Sequence, residues 1–301
     1  MLYNYMLELG YTKEEIKLII ESYSLNGYGE EKLYKKVREI FEFLLTNDYD
    51  KIEIIRMTKT FPSIYGYSIE NMKQKIEDVM SLGYRREEVI KMTKILPAIY
   101  GLGIENMKQK IEDIMELGYR REEVIKMTKT LPSIYNSSIE NMKQKIEDIM
   151  ELGYRREEVI KMTKTHPQLY GLSIENMKQK IEDIMELGYR REEVIKMTKT
   201  FPSIYGLSIE NMKQKIEYYD KIELHDLAII DTKKLMQSVD LSYARYEFYK
   251  EKGIIITIDN YRKLFVGQKQ FEKKYEITKK ELLEKYNYEK YMEEQKNGHT
   301  L

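Results

Sequence analysis

The sequence predicts an all-α solenoid of about seven 35-residue units, each a helix, a short turn and a second helix. Three observations carry this. The five prolines of the chain, Pro62, Pro97, Pro132, Pro167 and Pro202, stand 35 residues apart. The segment Leu117 to Glu151, LGYRREEVIKMTKTLPSIYNSSIENMKQKIEDIME, recurs almost unchanged from Leu82, Leu152 and Leu187. Within it, apolar residues fall at helical spacing twice, once on each side of the proline.

Gly118 follows the end of one helix and suits a left-handed residue just past a helix terminus. The next helix runs over about 120–130, with Val124, Met127, Thr128 and Leu131 on one face. Pro132 ends it, because the residue before a proline resists the helical region. LPSIY then makes a single helical turn, offering Ile134 and Tyr135 to the core. Ser138 is placed to cap a second helix, whose stripe is Ile139, Met142, Ile146, Ile149 and Met150. Neither helix can bury its stripe alone, so the units must stack.

The repeat array is expected over 1–253, with an atypical first unit at 1–48, near-identical units over 49–222 and a degenerate last unit at 223–253. In the first unit Thr12 and Glu15 form a capping box, and Ser24 to Glu31 serves as a longer turn. Its second helix carries Leu33, Val37, Ile40, Phe41 and Leu44. The last unit lacks proline and closes at Gly253. Residues 254–301 form C-terminal capping helices and a frayed tail. Asp259 is placed to cap a brief helix with Leu264 and Phe265, and a charged helix runs from Thr278 to Glu294.

The alternation LGY-x-x-EE-V-I, then F/L-P-x-I/L, then S-I-E-N-M-K-x-K-I-E-x-I-x-E resembles the repeats of the mitochondrial transcription termination factor (mTERF) family, over roughly residues 7–290. The tail from Leu264 to Tyr286 is also similar to the way many such chains end. The resemblance implies two α-helices and a short 3₁₀ turn per repeat, wound into a superhelix whose basic groove takes double-stranded DNA or structured RNA. It further implies roles such as transcription termination. Two departures stand out. Arg85, Arg120, Arg155 and Arg190 replace the usual Ser or Thr at the helix opening, and Tyr65, Tyr100, Tyr135, Tyr170 and Tyr205 stand where the family more often has Leu.

The 51 basic and 51 acidic residues cancel, so a surface for a polyanion must come from their distribution. Counting acids three or four residues away on the same helix, Lys126 is matched by Glu122, Lys143 by Glu140 and Glu147, and Lys145 by Asp148. Arg121 and Lys129 have no such acid. Stacking would multiply them into one row of Arg86, Arg121, Arg156 and Arg191 and another of Lys59, Lys94, Lys129, Lys164 and Lys199. Arg85, Arg120, Arg155 and Arg190 open their helices, where a cation is disfavoured by the dipole unless an anion sits nearby. Alternatively, Glu116, Glu151 and Glu186 pair with Arg120, Arg155 and Arg190 across the turn.

Taken with the resemblance, these residues are expected to make a non-catalytic, monomeric binder of double-stranded DNA or structured RNA that acts through phosphate contacts; the resemblance implies a role in transcription regulation or termination. The alternative is a protein–protein interaction scaffold using the concave solenoid surface. No nucleophile–base set, phosphate loop or metal cluster stands out, so no enzyme activity and no cofactor are expected. The absence of cysteine excludes disulfides and thiolate metal sites. His166, His225 and His299 are scattered, and His166 reads as a structural residue. No apolar run is long enough to span a membrane, and the N-terminus resembles neither a signal nor a transit peptide, so a cytoplasmic location is expected.

Overall fold

A computed structural model describes residues 1–24 and 29–298. The expected turn from Ser24 to Glu31 falls partly outside the described residues, and His299 wholly so. The described chain is all-α: through its middle, two α-helices flank each 3₁₀ helix, and there is no strand among the described residues. The residues separate into two compact units, Met1–Glu147 with Thr163–Tyr170, and Asp148–Met162 with Gly171–Leu301.

The repeat is built as its sequence requires. One copy comprises a first helix Arg121–Thr130, a 3₁₀ helix Pro132–Asn136 and a second helix Ile139–Glu151. The same three parts recur at Lys51–Thr60, Pro62–Gly66 and Ile69–Ser81, and at Arg191–Thr200, Pro202–Gly206 and Ile209–Lys221. Gly118 has φ 111°, so a side chain there would be strained. Its N–H donates to the Met115 carbonyl at 3.0 Å and closes the preceding helix. Pro132 costs no hydrogen bond at the first position of the 3₁₀ helix, where its N–H would be unmatched anyway. The Ser138 hydroxyl accepts from the Asn141 N–H at 3.0 Å, as Ser68, Ser173 and Ser208 do in their own copies.

Burial follows the two stripes. Val124, Met127, Thr128, Ile134, Tyr135, Met142, Ile146 and Ile149 are buried, while Leu131, Ile139 and Met150 are half-buried. In the first compact unit, first helices pack on first helices and second on second. Lys51–Thr60 meets Arg86–Ile95, which meets Arg121–Thr130, and Glu30–Leu45 meets Ile69–Ser81, which meets Ile104–Glu116. In the second unit, Ile174–Glu186, Ile209–Lys221 and Val239–Glu251 form such a series.

A hydroxyl cluster fastens each of the first five repeats to the next. Tyr11 lies 2.7 Å from Thr58 Oγ1 and 2.9 Å from the Tyr65 hydroxyl. Tyr49 makes the same pair of bonds to Thr93 and Tyr100, Tyr84 to Thr128 and Tyr135, Tyr119 to Thr163 and Tyr170, and Tyr154 to Thr198 and Tyr205. The threonine oxygen also lies against its own helix, 2.8 Å from the Val124 carbonyl in the case of Thr128. One arrangement of protons satisfies every group: Thr128 donates to Val124, Tyr84 to Thr128, and Tyr135 to Tyr84. Thr128 is thus a core residue with a polar duty. Tyr135 and its equivalents complete the cluster in each case.

The ends differ from the expected pattern in three places. The last repeat keeps its 3₁₀ helix, Thr232–Met236, and second helix, Val239–Glu251, but its first helix shrinks to Leu227–Ile230. Asn260, not Asp259, precedes the 3₁₀ helix Tyr261–Phe265; its amide accepts from the Thr257 N–H and donates to the Ile255 carbonyl. The charged segment from Thr278 is two helices, Lys279–Lys285 and Tyr288–Gly298, because Tyr286 leaves helical geometry at φ −121°. Leu282 and Tyr288 are buried there. Arg245 is also buried, donating to the carbonyls of Leu264 and Val266 at 2.8 and 2.7 Å, with its guanidinium over the Phe271 ring.

Removing one hydroxyl from an internal cluster should leave its partners unmatched in the core. Tyr84→Phe is expected to lower unfolding stability by about 1–2 kcal/mol. Tyr189 makes only a 3.3 Å bond to the His225 carbonyl. Tyr189→Phe should therefore cost clearly less, as read from urea unfolding curves of the two variants.

Candidate nucleic-acid interface

The lysines expected to carry spare charge are matched across the stack. Lys59 Nζ lies 2.8 Å from Glu15, Lys94 2.7 Å from Glu53, Lys129 2.7 Å from Glu88, Lys164 2.8 Å from Glu123 and Lys199 2.7 Å from Glu158. Each pair joins the last turn of a first helix to the first turn of the first helix before it. This corrects the reading of these five lysines as uncompensated. Counting along one helix finds no acid near Lys129, because the acid that faces it is 41 residues upstream.

The second arginine of each pair has a structural duty as well. Arg121 donates to the Leu82 carbonyl at 3.1 Å and Arg191 to the Leu152 carbonyl at 2.9 Å. Leu82 is the residue that ends the helix Ile69–Ser81, so the guanidinium sits at the negative end of a helix dipole. Arg86, whose equivalent carbonyl lies near the atypical first repeat, donates instead to Asn47 Oδ1 at 2.6 Å. Arg156 occupies the corresponding sequence position.

The opening arginines remain at the surface. Arg85, Arg120 and Arg190 have side chains 77%, 76% and 75% exposed and pair within their own first turn, with Glu88, Glu123 and Glu193 at 3.1, 3.1 and 2.9 Å. Their partner is thus the glutamate three residues on, not Glu116 or Glu186 across the turn. Arg155 is exposed at the same position, and its backbone N–H donates to Glu158 at 2.9 Å. This explains how arginine can stand where Thr12 does. Thr12 accepts from the Glu15 N–H through its hydroxyl. An arginine cannot accept, but the glutamate still takes the cap residue's N–H.

Glu88 and Glu123 are the meeting points of this arrangement. One oxygen of Glu88 accepts from the Arg85 N–H at 3.0 Å, and the other from the Arg85 guanidinium at 3.1 Å and Lys129 at 2.7 Å. Lys129 first, then the Arg85 N–H, pull the Glu88 carboxyl from 4.5 to about 2. Lys164 and the Arg120 N–H do the same to Glu123, also to about 2. Glu15 and Glu158 are lowered by Lys59 and Lys199.

Unpaired lysines lie elsewhere on the first helices. Among the described residues, Lys91, Lys126 and Lys196 are exposed and make no ion pair, although Glu122 stands four residues before Lys126. Exposed pairs of this kind contribute only about 0–1 kcal/mol, too little to hold two long side chains together. Lys126 lines a cleft of about 270 Å³ with Arg120, Glu122, Glu123, Lys164 and Thr165. The tyrosines at 65, 100, 135 and 205 are buried and present no ring to a base.

A carboxyl held below its ordinary value stabilises the fold above that value and ceases to do so once protonated. Stability should therefore fall as pH drops from about 4.5 towards 2, the window over which Glu88 and Glu123 titrate late. Lys129→Met should raise the Glu88 carboxyl towards the ordinary range, as followed by ¹³C NMR titration, and leave Glu123 where it is.

With the geometry in place, comparison with known proteins gives one result. The mTERF family model matches residues 4–116 and 110–228. No curated protein matches the chain. No helix among the described residues is long and apolar enough to cross a membrane. Both matched segments run through the helix–3₁₀–helix repeats, and together they take in well over half the sequence: the chain belongs to the mTERF family.

Proposed function

We propose that this protein binds double-stranded DNA or structured RNA without catalysis, through phosphate contacts from the N-terminal edges of its first helices. The observation that carries the reading is the exposure of Arg85, Arg120 and Arg190 at those edges, each beside a helix N-terminus. Arg155 stands at the fourth such position, and Lys91, Lys126 and Lys196 add unpaired cations on the same helices. Neighbouring helices pack about 8–10 Å apart, and phosphates rise about 3.4 Å along a strand, so within the first compact unit Arg85 and Arg120 would meet every second or third phosphate. Family membership supports the same reading and points to transcription regulation or termination as the process served.

Near-identical repeats offer the same side chain at each equivalent position, which suits contact with backbone and shape better than base readout. The second reading is a scaffold for a protein partner. The neutralised lysines favour it, since they show that much of the positive charge is already spent inside the stack.

Titrating the full chain with duplex DNA across a salt series separates the two. The expected result is a steep fall of log K with log salt. Arg85→Gln, Arg120→Gln, Arg155→Gln and Arg190→Gln together should flatten that slope by roughly 3 to 4. A slope that the fourfold variant leaves unchanged would remove the arginines from the interface.

A further inference from the structure

We infer that the glutamate three residues after each opening arginine acts as a resident stand-in for phosphate, masking the cations of its notch until a nucleic acid displaces it. This rests on the reading of the arginines as phosphate contacts and concerns how that same surface is regulated.

Glu123 shows the argument. Its carboxylate is held by a backbone N–H at a helix N-terminus, a guanidinium and an ammonium: the Arg120 N–H at 3.0 Å, Arg120 Nη2 at 3.1 Å and Lys164 Nζ at 2.8 Å. That set of donors is what a phosphate oxygen takes from a protein. The carboxylate therefore fills an anion site with an anion supplied by the chain itself. Glu88 has the same three donors, from Arg85 and Lys129. In the second compact unit, Glu158 takes the Arg155 N–H and Lys199, and Glu193 takes the N–H and guanidinium of Arg190.

The site is also reachable. Glu123 lies at the wall of the cleft that Arg120, Lys126 and Lys164 share, and its side chain is 15% exposed. With Glu122 included, the cleft holds three cations and two anions, a surplus of one. Neutralising Glu123 would raise the surplus to two and release Arg120 and Lys164 to an incoming phosphate. The chain's overall neutrality then has a physical meaning: the cations are present but engaged, and only a densely charged polyanion contacting several notches at once can compete. A single phosphate group gains too little against a carboxylate that is already covalently in place.

Glutamine serves the same capping role as glutamate at this position, so Glu→Gln removes charge while keeping the cap bond. The test is the fourfold variant Glu88→Gln, Glu123→Gln, Glu158→Gln, Glu193→Gln in the full chain, with its helicity and melting checked by circular dichroism. Affinity for a mixed-sequence DNA duplex and for an RNA hairpin is measured across salt. The expected result is binding at least about tenfold tighter at low salt, because no carboxylate has to be displaced before the cations meet phosphate. Equal affinity in the folded variant, with the arginine variants still weakened, would overturn the masking and leave the interface standing. If the glutamine and arginine variants both bind like the parent chain, the interface falls with it. Should the fourfold variant melt too early to titrate, Glu123→Gln alone must still tighten binding; unchanged affinity there would equally refute the idea.

Discussion

The structure depends on the fact that no repeat closes its own core. Its two helices each carry an apolar stripe, and the polar centre of that interior is shared with the next repeat. Tyr84 is the instance to follow: it leaves one repeat and ends between Thr128 and Tyr135 of the following one. A tyrosine buried this way is stable only if its hydroxyl finds partners, and those partners exist only when the next repeat is docked in register. The hydroxyl cluster therefore specifies the stacking as well as strengthening it. A leucine at position 135 could fill the space, but it could not tell a correct docking from one slipped by a residue.

The charges follow the same rule of reaching into a neighbour. Lys129 goes back to Glu88, Arg121 back to the Leu82 carbonyl, and Lys110 forward to the Ser137 carbonyl at 2.6 Å. Each of these long side chains places its charged head on a partner of a neighbouring repeat. Most are half-exposed and individually worth little, so their effect is on geometry more than on stability. They make the seams close to neutral. What stays at the surface are the opening arginines Arg85, Arg120 and Arg190, each beside its glutamate, and Lys91, Lys126 and Lys196.

The end repeats show what happens where a neighbour is missing or changed. Tyr189 has no threonine to meet; the carbonyl of His225, just before the shortened helix Leu227–Ile230, accepts instead, and the Tyr189 ring stacks on His225 at 5.1 Å. Beyond that, apolar and aromatic contacts take over from the hydroxyl cluster, with Phe248, Tyr249, Phe271 and Tyr275 packed edge to face. Arg245 is buried there without a carboxylate partner, held by carbonyls and an aromatic face, and burial lowers its pKa. The C-terminal segment is thereby tied to the last repeat by a side chain of that repeat's second helix.

The sequence by itself determined the repeat, its two helices, the proline-led 3₁₀ turn, the serine caps and the buried stripes. All of these are local: a proline, a glycine or a stripe at i, i+3, i+4 acts within a few residues of itself. It also showed that Arg85 and its equivalents were unusual at a cap position. Which cations are free could be decided only by the tertiary structure, because a lysine's partner can lie 41 residues away on an adjacent helix. Counting along one helix marked Lys129 as spare and Lys126 as matched, and the stack reverses both. The break at Tyr286 and the shortened helix at Leu227 have no proline or glycine beside them to mark them in the sequence. Charge, unlike hydrophobic periodicity, is settled by whatever group comes nearest in space.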